Sequence, residues 1–205
     1  MSTLRLTDMI SIVAFVDPAG GKGALKKTSS RSADVVVGQD AQRRIFVLHA
    51  WAGRIPTTAH TDRIFTLVDT WHPRVVGIDA SAMQSLYADS LLREARQRGR
   101  RLPLVPKKMV GDKDERIRTV LQPVIADGRL FVRADQRDLR LELEAFPGGL
   151  TNDLVDALSQ AVTFLPTRPA QAVGREEGAA WVQYLRDSGA PAWYVQASEK
   201  TLVGG

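Results

Sequence analysis

The feature that most restricts the fold of this chain is a change of hydrophobic period near residue 57. Before it, apolar runs at residues 10–16, 33–38 and 44–51 are bounded by turn residues, a pattern typical of β-strands. After it, apolar residues at helical spacing alternate with short strand-like runs. We therefore predict an α/β fold in which an antiparallel three-strand meander joins a mixed sheet with helices on both faces.

The later elements follow from the same reading. Thr57 or Thr58 is the predicted cap of the first helix, and Ser81 the cap of the second. The predicted helices are 57–72, 81–99, 114–126, 135–145 and 151–165, and the predicted strands are 74–79, 102–105 and 130–132. We predict one domain at residues 1–166 and a C-terminal tail or docking segment at residues 167–205, with a further helix at 179–187.

The charge balance favours a polyanionic partner. The chain carries 28 Lys and Arg against 23 Asp and Glu, a net charge of +5. The basic residues cluster at three places: Lys22, Lys26, Lys27 and Arg31; residues 93–101; and Lys107, Lys108 and Lys113. The chain has no cysteine and no apolar run near the ~20 residues of a membrane span, so we expect a cytoplasmic protein without a membrane partner. For residues 93–101, DNA contact and a merely solvated helix face remain equally open.

Three aspartates stand where a folded chain presents carboxylates. Asp17 and Asp79 end apolar, β-branched runs, and Asp153 opens an apolar helix. Carboxylates gathered from distant segments repel one another unless a cation neutralises them, and oxygen-only ligand sets favour Mg²⁺ or Mn²⁺. This pattern predicts metal-dependent phosphodiester chemistry, in which two ions activate water and stabilise the leaving oxygen.

Each aspartate also has a structural explanation. Asp17 precedes Pro18 and can begin a turn, Asp79 can cap the next helix, and Asp153 suits the positive end of a helix dipole. Asp156 lies one helical turn after the start of that helix and is a weaker ligand candidate. The glycine-rich residues 20–28 fail the phosphate-loop pattern, because Leu25 stands where the second glycine belongs. No metal-ligand spacing joins the three histidines His49, His60 and His72.

Together these motifs resemble the nuclease domain of the large terminase subunit of tailed bacteriophages, within the ribonuclease H-like superfamily. The resemblance spans roughly residues 10–165 and rests on four motifs: Val-Asp-Pro-Ala from Val16, Gly-Ile-Asp from Gly77, Lys-Asp-Glu-Arg-Ile from Lys113, and Asn-Asp-Leu-Val-Asp-Ala-Leu from Asn152. Relatives often carry two adjacent acids at the last motif, whereas the first of that pair is asparagine here.

The resemblance implies an endonuclease that uses two Mg²⁺ or Mn²⁺ ions to cut concatemeric viral DNA during genome packaging. It implies that Asp17 is shared by both ions, that Asp79 and Asp153 are the other catalytic acids, and that Asp156 supports them. Double-stranded DNA is the implied substrate, and the candidate phosphate contacts are Lys107, Lys108, Lys113 and Arg116.

A large terminase also contains an ATPase domain, which this sequence lacks, so we expect an excised C-terminal domain. That ATPase domain, the small terminase subunit and the portal are the implied protein partners, in the cytoplasm of an infected host. Another nuclease of the same fold, such as a Holliday-junction resolvase or a transposase core, is one alternative. A non-catalytic module that docks on DNA or a motor is the other.

Overall fold

A computed structural model describes residues 6–18, 31–79 and 82–166 of the chain. A short 3-10 helix at Leu6–Asp8 precedes the first strand. The strands are β1 (Met9–Asp17), β2 (Ser32–Asp40), β3 (Ile45–Gly53), β4 (Val75–Asp79), β5 (Leu104–Lys107) and β6 (Leu130–Phe131). The helices are α1 (Thr57–Trp71), α2 (Ala82–Gln97), α3 (Lys113–Ala126), α4 (Arg137–Ala145) and α5 (Asp153–Val162).

All six strands form one sheet in the order β5-β4-β1-β2-β3-β6. The first three strands pair antiparallel, as a meander does. Strand β4 runs parallel to β1, β5 parallel to β4, and β6 parallel to β3. The mixed sheet with an antiparallel three-strand meander is therefore confirmed.

The sheet separates two hydrophobic cores. Because side chains alternate across a strand, Val13 and Phe15 point to one face while Ala14 and Val16 point to the other. Helices α3, α4 and α5 cover the face of Phe15. Helices α1 and α2 cover the face of Val16. Helices thus lie on both faces, as predicted, and Asp17 shares the face of Phe15.

Several element boundaries differ from the sequence prediction. Helix α1 is preceded by Pro56 as its N-cap residue, without a side-chain hydrogen bond, so neither Thr57 nor Thr58 caps it. The edge strand β5 begins at Leu104 rather than residue 102, because the N–H of Leu104 turns back to the carbonyl of Leu102. The last helix is shorter than predicted at both ends.

The predicted cap Ser81, the glycine-rich residues 20–28 and the helix at 179–187 lie outside the described residues. Within the described part of the chain, no helix combines the length and apolarity required to cross a membrane.

Candidate metal centre

Asp17 and Asp79 end two neighbouring parallel strands. Val16 of β1 and Ile78 of β4 are register partners, and each aspartate is the next residue of its strand. Both therefore reach the same edge of the sheet. Alternation places both on the α5 face, since Ile78 belongs to the opposite core with Val16.

The other two predicted acids come from the first turn of α5. This helix packs on β1 and β2, and Asp153 and Asp156 lie within its first turn. Their side chains are 20% and 14% exposed, whereas Leu154 and Val155 between them are buried in the core. The apolar stripe of α5 thus fixes which side of the helix carries the two acids, and it leaves both at the sheet edge.

Three other carboxylates influence the pKa of Asp17. Burial, then the negative charges of Asp156 and Asp79 and finally that of Asp153, raise the pKa of Asp17 to about 7, against the opposing charge of Lys113. Three other carboxylates are therefore close enough to act on one carboxyl group. The structure brings together all four predicted ligands, while their role in binding metal stays a prediction.

Basic side chains hold the two acids of α5. The guanidinium of Arg31 donates from Nε to Oδ2 of Asp153 at 2.9 Å, and it also pairs with Glu142 of α4. On Asp156, Nζ of Lys113 lies 3.3 Å from Oδ2 and Nη2 of Arg116 lies 3.7 Å from Oδ1. Burial acts to lower the pKa of Arg31, but its hydrogen bonds to Asp153 and Glu142 outweigh burial and raise it, so the group stays charged.

The donor chemistry suits a hard divalent cation, although the side chains are not already arranged around one. Among the described residues, no group of three or more His, Asp or Glu side chains is close enough to hold a metal ion as it stands. Asp153 and Asp156 are instead turned towards Arg31, Lys113 and Arg116. Burial is the largest cause of the raised pKa of Asp17, and the negative charges of Asp156, Asp79 and Asp153 add to it; a bound cation would relieve that repulsion, which is the observation that fits a metal.

The predicted phosphate contacts lie at the end of β5 and in the first turn of α3. Lys107 is the register partner of Asp79, and its Nζ donates to Oγ1 of Thr163 at 2.5 Å. Burial, and then the charge of Arg116, lower the pKa of Lys107. Lys108 is exposed at the end of β5. Lys113 and Arg116 lie beside Asp156, and the contact of all four basic residues with DNA stays a prediction.

The arginine-rich segment after α2 has a structural role. Arg98 pairs with Asp62 of α1 and Glu94 of α2, and Arg100 pairs with Asp69 of α1. Both guanidinium groups also lie over the ring of Phe65. These contacts favour helix packing over DNA binding for the two arginines. Lys22, Lys26 and Lys27, by contrast, lie outside the described residues.

Sequence reasoning missed one buried acid beside the site. Glu142 is 5% exposed and accepts hydrogen bonds from Thr151, Leu154 and Val155 as well as from Arg31. Its only signal in the sequence is its position three residues after the buried Leu139, on the same face of α4. Arg31 stood out only as one of several basic residues.

Solved structures share this arrangement of strands and helices. The chain aligns with the large terminase nuclease from the thermophilic phage G20c, solved with bound zinc, at a TM-score of 0.52 and 15% identity, over 76% of this chain and 82% of that one. The fold is ribonuclease H-like.

Two further solved structures align over similar lengths. The nuclease domain of the large terminase subunit of bacterial virus Sf6 aligns at a TM-score of 0.49 and 12% identity, over 78% of this chain and 90% of that one. RuvC of T. thermophilus, in complex with a Holliday junction substrate, aligns at a TM-score of 0.43 and 15% identity, over 74% of this chain and 91% of that one. No protein-family model matches the sequence, and no curated protein matches it either.

Proposed function

We propose that this chain is a divalent-metal-dependent DNA endonuclease with Asp17, Asp79 and Asp153 as its catalytic acids. The observation that carries the proposal is that three carboxylates, one from β4 and two from α5, act on the half-buried Asp17 at the end of β1. Each further negative charge beside a carboxylate costs free energy unless a cation offsets it. A site that binds divalent cations explains that cost.

The residues of the chain have distinct roles in this proposal. Two Mg²⁺ or Mn²⁺ ions, when bound, supply an activated water and stabilise the leaving oxygen of a phosphodiester. Asp17 and Asp79 would hold them from rigid strand ends, and Asp153 from the first turn of α5, with Asp156 in support. Lys107, Lys108, Lys113 and Arg116 would hold the DNA by its phosphates, without reading sequence.

We further propose that the chain is the nuclease domain of a phage large terminase, which cuts concatemeric DNA during packaging. The support is the fold that it shares with the phage G20c terminase nuclease, together with the four motifs that begin at Val16, Gly77, Lys113 and Asn152. On this proposal it acts in the host cytoplasm with an ATPase domain, the small terminase subunit and the portal. The tail at residues 167–205 is a proposed docking segment.

The first test is conversion of supercoiled plasmid to nicked and linear DNA with Mn²⁺, Mg²⁺ or EDTA. We expect cutting by the wild type with either metal, none in EDTA, and none by Asp17→Asn. Asp127→Asn is the matched control, because that aspartate is 58% exposed and pairs with Arg129 at the opposite end of α3 from Lys113. Undiminished cutting by Asp17→Asn would place the catalytic centre elsewhere.

The second test compares linear duplex with a four-way junction of the same sequence. Equal or preferential cutting of the duplex supports the terminase role. A strong preference for the junction would replace it with a resolvase. DNA binding without cutting, at every metal concentration, would leave a docking module.

A further inference from the structure

Glu142 is a charged residue in an apolar position. It follows Leu139 by three residues on α4, and both side chains are buried, at 5% and 1% exposure. Burying an unpaired carboxylate costs several kcal/mol, so such a residue requires compensating donors. All the donors that the structure gives it come from the start of α5, the segment just before α5, and Arg31.

One oxygen of Glu142 caps the helix that carries the acids. Its Oε2 accepts the backbone N–H groups of Leu154 at 2.8 Å and of Val155 at 3.2 Å. These are the second and third residues of α5, whose N–H groups an N-cap side chain normally accepts. The N-cap residue Asn152 makes no such side-chain bond. Glu142 therefore replaces it from a different helix.

The other oxygen holds the cation that faces Asp153. Oε1 accepts from Oγ1 of Thr151 at 3.0 Å and from Nη2 of Arg31. The Nε of the same guanidinium donates to Oδ2 of Asp153 at 2.9 Å. Arg31 is thus shared between a buried carboxylate of α4 and a predicted metal ligand of α5.

We propose that Glu142 is a positioning residue for the metal centre, an inference that rests on the proposed function. It fixes the first turn of α5, and with it Asp153 and Asp156, relative to the strand ends. It also balances Arg31, so that Asp153 can exchange this cation for a metal ion. Without the charge of Glu142, the guanidinium of Arg31 pairs with Asp153 alone. A metal ion must then compete with a stronger Arg31–Asp153 ion pair.

The test is calorimetric Mn²⁺ binding to the full chain without DNA. Glu142→Gln keeps an oxygen that can accept from Leu154 and Val155 but removes the charge. We expect its Mn²⁺ affinity to fall about ten-fold, the lower end for partners that orient metal ligands. Arg31→Gln should bind Mn²⁺ more tightly than the wild type. The double variant should return close to the wild-type affinity, which a purely structural role of Glu142 does not predict.

Asp40→Asn is the matched control. Asp40 is also a buried carboxylate, 3% exposed, that accepts from a backbone N–H and a guanidinium, both of Arg44, at 2.8 and 2.6 Å. It pairs with Met9 at the opposite end of β1 from Asp17. We expect its melting temperature to fall while its Mn²⁺ affinity stays at the wild-type value.

Three results would decide against the inference. Wild-type Mn²⁺ affinity in folded Glu142→Gln would overturn it and leave the proposed function intact. If Glu142→Gln does not fold, Arg31→Gln carries the test alone, and an unchanged affinity in that variant would overturn the inference. No Mn²⁺ binding by the wild type would overturn the proposed function, and this inference with it.

Discussion

After burial, the carboxylate of Asp156 is the strongest cause of the raised pKa of Asp17. The two residues belong to a strand end and to the first turn of a helix, so their proximity depends on the docking of α5 against β1. The site is therefore a product of tertiary packing. The pKa of Asp17 therefore depends on how closely α5 approaches β1.

The raised pKa of Asp17 predicts how stability depends on pH in metal-free protein. The folded pKa is about 7 against an ordinary value of 3.8, so the folded state binds this proton more tightly than the unfolded chain. The contribution of Asp17 to the free energy of unfolding is complete below pH 4 and is lost as the pH rises to about 7. Urea denaturation in EDTA at pH 5 and pH 8 measures this loss.

Asp17→Asn should remove that pH dependence. At pH 8 we expect it to raise the free energy of unfolding by roughly 1–3 kcal/mol, since each unit of pKa difference corresponds to ~1.4 kcal/mol. Asp127→Asn should behave like the wild type at both values. If the wild type and Asp17→Asn lose the same stability between pH 5 and pH 8, Asp17 is not the source of the pH dependence.

Asp156→Asn and Asp153→Asn should change the titration of Asp17 unequally. Asp156 acts on Asp17 more strongly than Asp153 does, and Asp153 is the acid that Arg31 holds. Asp156→Asn should therefore lower the pKa of Asp17 more than Asp153→Asn does. Carbon-detected NMR titration of the aspartate carboxyl groups in EDTA measures both values. A larger fall in Asp153→Asn would mean that α5 is rotated relative to the described arrangement.

Lys113 and Arg116 should contribute to DNA affinity through charge alone. Both lie beside Asp156 at the site, on the first turn of α3. If both contact phosphates, changing them to glutamine should reduce the slope of log K against log salt by about 2. Fluorescence anisotropy with labelled duplex in Ca²⁺ checks this. Arg98→Gln is the control, because its guanidinium is engaged with Asp62 and Glu94, and it should leave the slope unchanged.

The three predicted acids could be recognised in the sequence because each one ends or opens an apolar run. A strand that ends at Asp17 or Asp79 can be recognised locally, and so can a helix that begins near Asp153. The side-by-side placement of the first two depends on strand order, which only the rules for α/β sheets and the family resemblance supplied. Their role as ligands remains a prediction.

Glu142 and the arginine pairs could not be predicted from local pattern. On α4, hydrophobicity favours burial of Leu141 over Glu142, yet Leu141 is 62% exposed and Glu142 is 5% exposed. Glu142 is buried because α5 and Arg31 supply hydrogen-bond donors to its carboxylate. These donors come from distant segments, so the hydrophobic pattern of α4 does not indicate them. The pairs of Arg98 and Arg100 likewise depend on α1 lying beside the end of α2.

A buried pair on the opposite face of the sheet should affect stability without affecting the site. His60 Nε2 lies 2.6 Å from Oδ1 of Asp34, and both side chains are 1% exposed. Asp34 is the register partner of Val16, so it faces α1 and not α5. His60→Ala removes the partner of Oδ1, while Arg63 Nε remains 3.5 Å from Oδ2, and should lower the free energy of unfolding by about 1–3 kcal/mol.

Urea denaturation measures the loss in His60→Ala, and Mn²⁺ affinity should remain at the wild-type value. Thr70→Ala, on the exposed side of α1, should stay within about 0.5 kcal/mol of the wild type. A loss no larger than that in His60→Ala would show that the pair contributes little. Weaker Mn²⁺ binding would show that the two faces of the sheet are coupled.

Gly77→Ala should displace Phe164 from β4, because Gly77 has no room for a side chain. An added Cβ would overlap the ring of Phe164, which follows α5, and would lie 2.7 Å from Cδ2 of Phe15. Overpacking of this kind costs about 1–3 kcal/mol, and the displaced strand carries Asp79 two residues later. We therefore expect a lower melting temperature together with weaker Mn²⁺ binding. Adding Phe164→Leu should recover part of both losses.

Gly148→Ala is the control, since the nearest neighbour of an added Cβ there is 3.8 Å away, and it should match the wild type. Wild-type stability in Gly77→Ala would mean that Phe164 does not pack against β4.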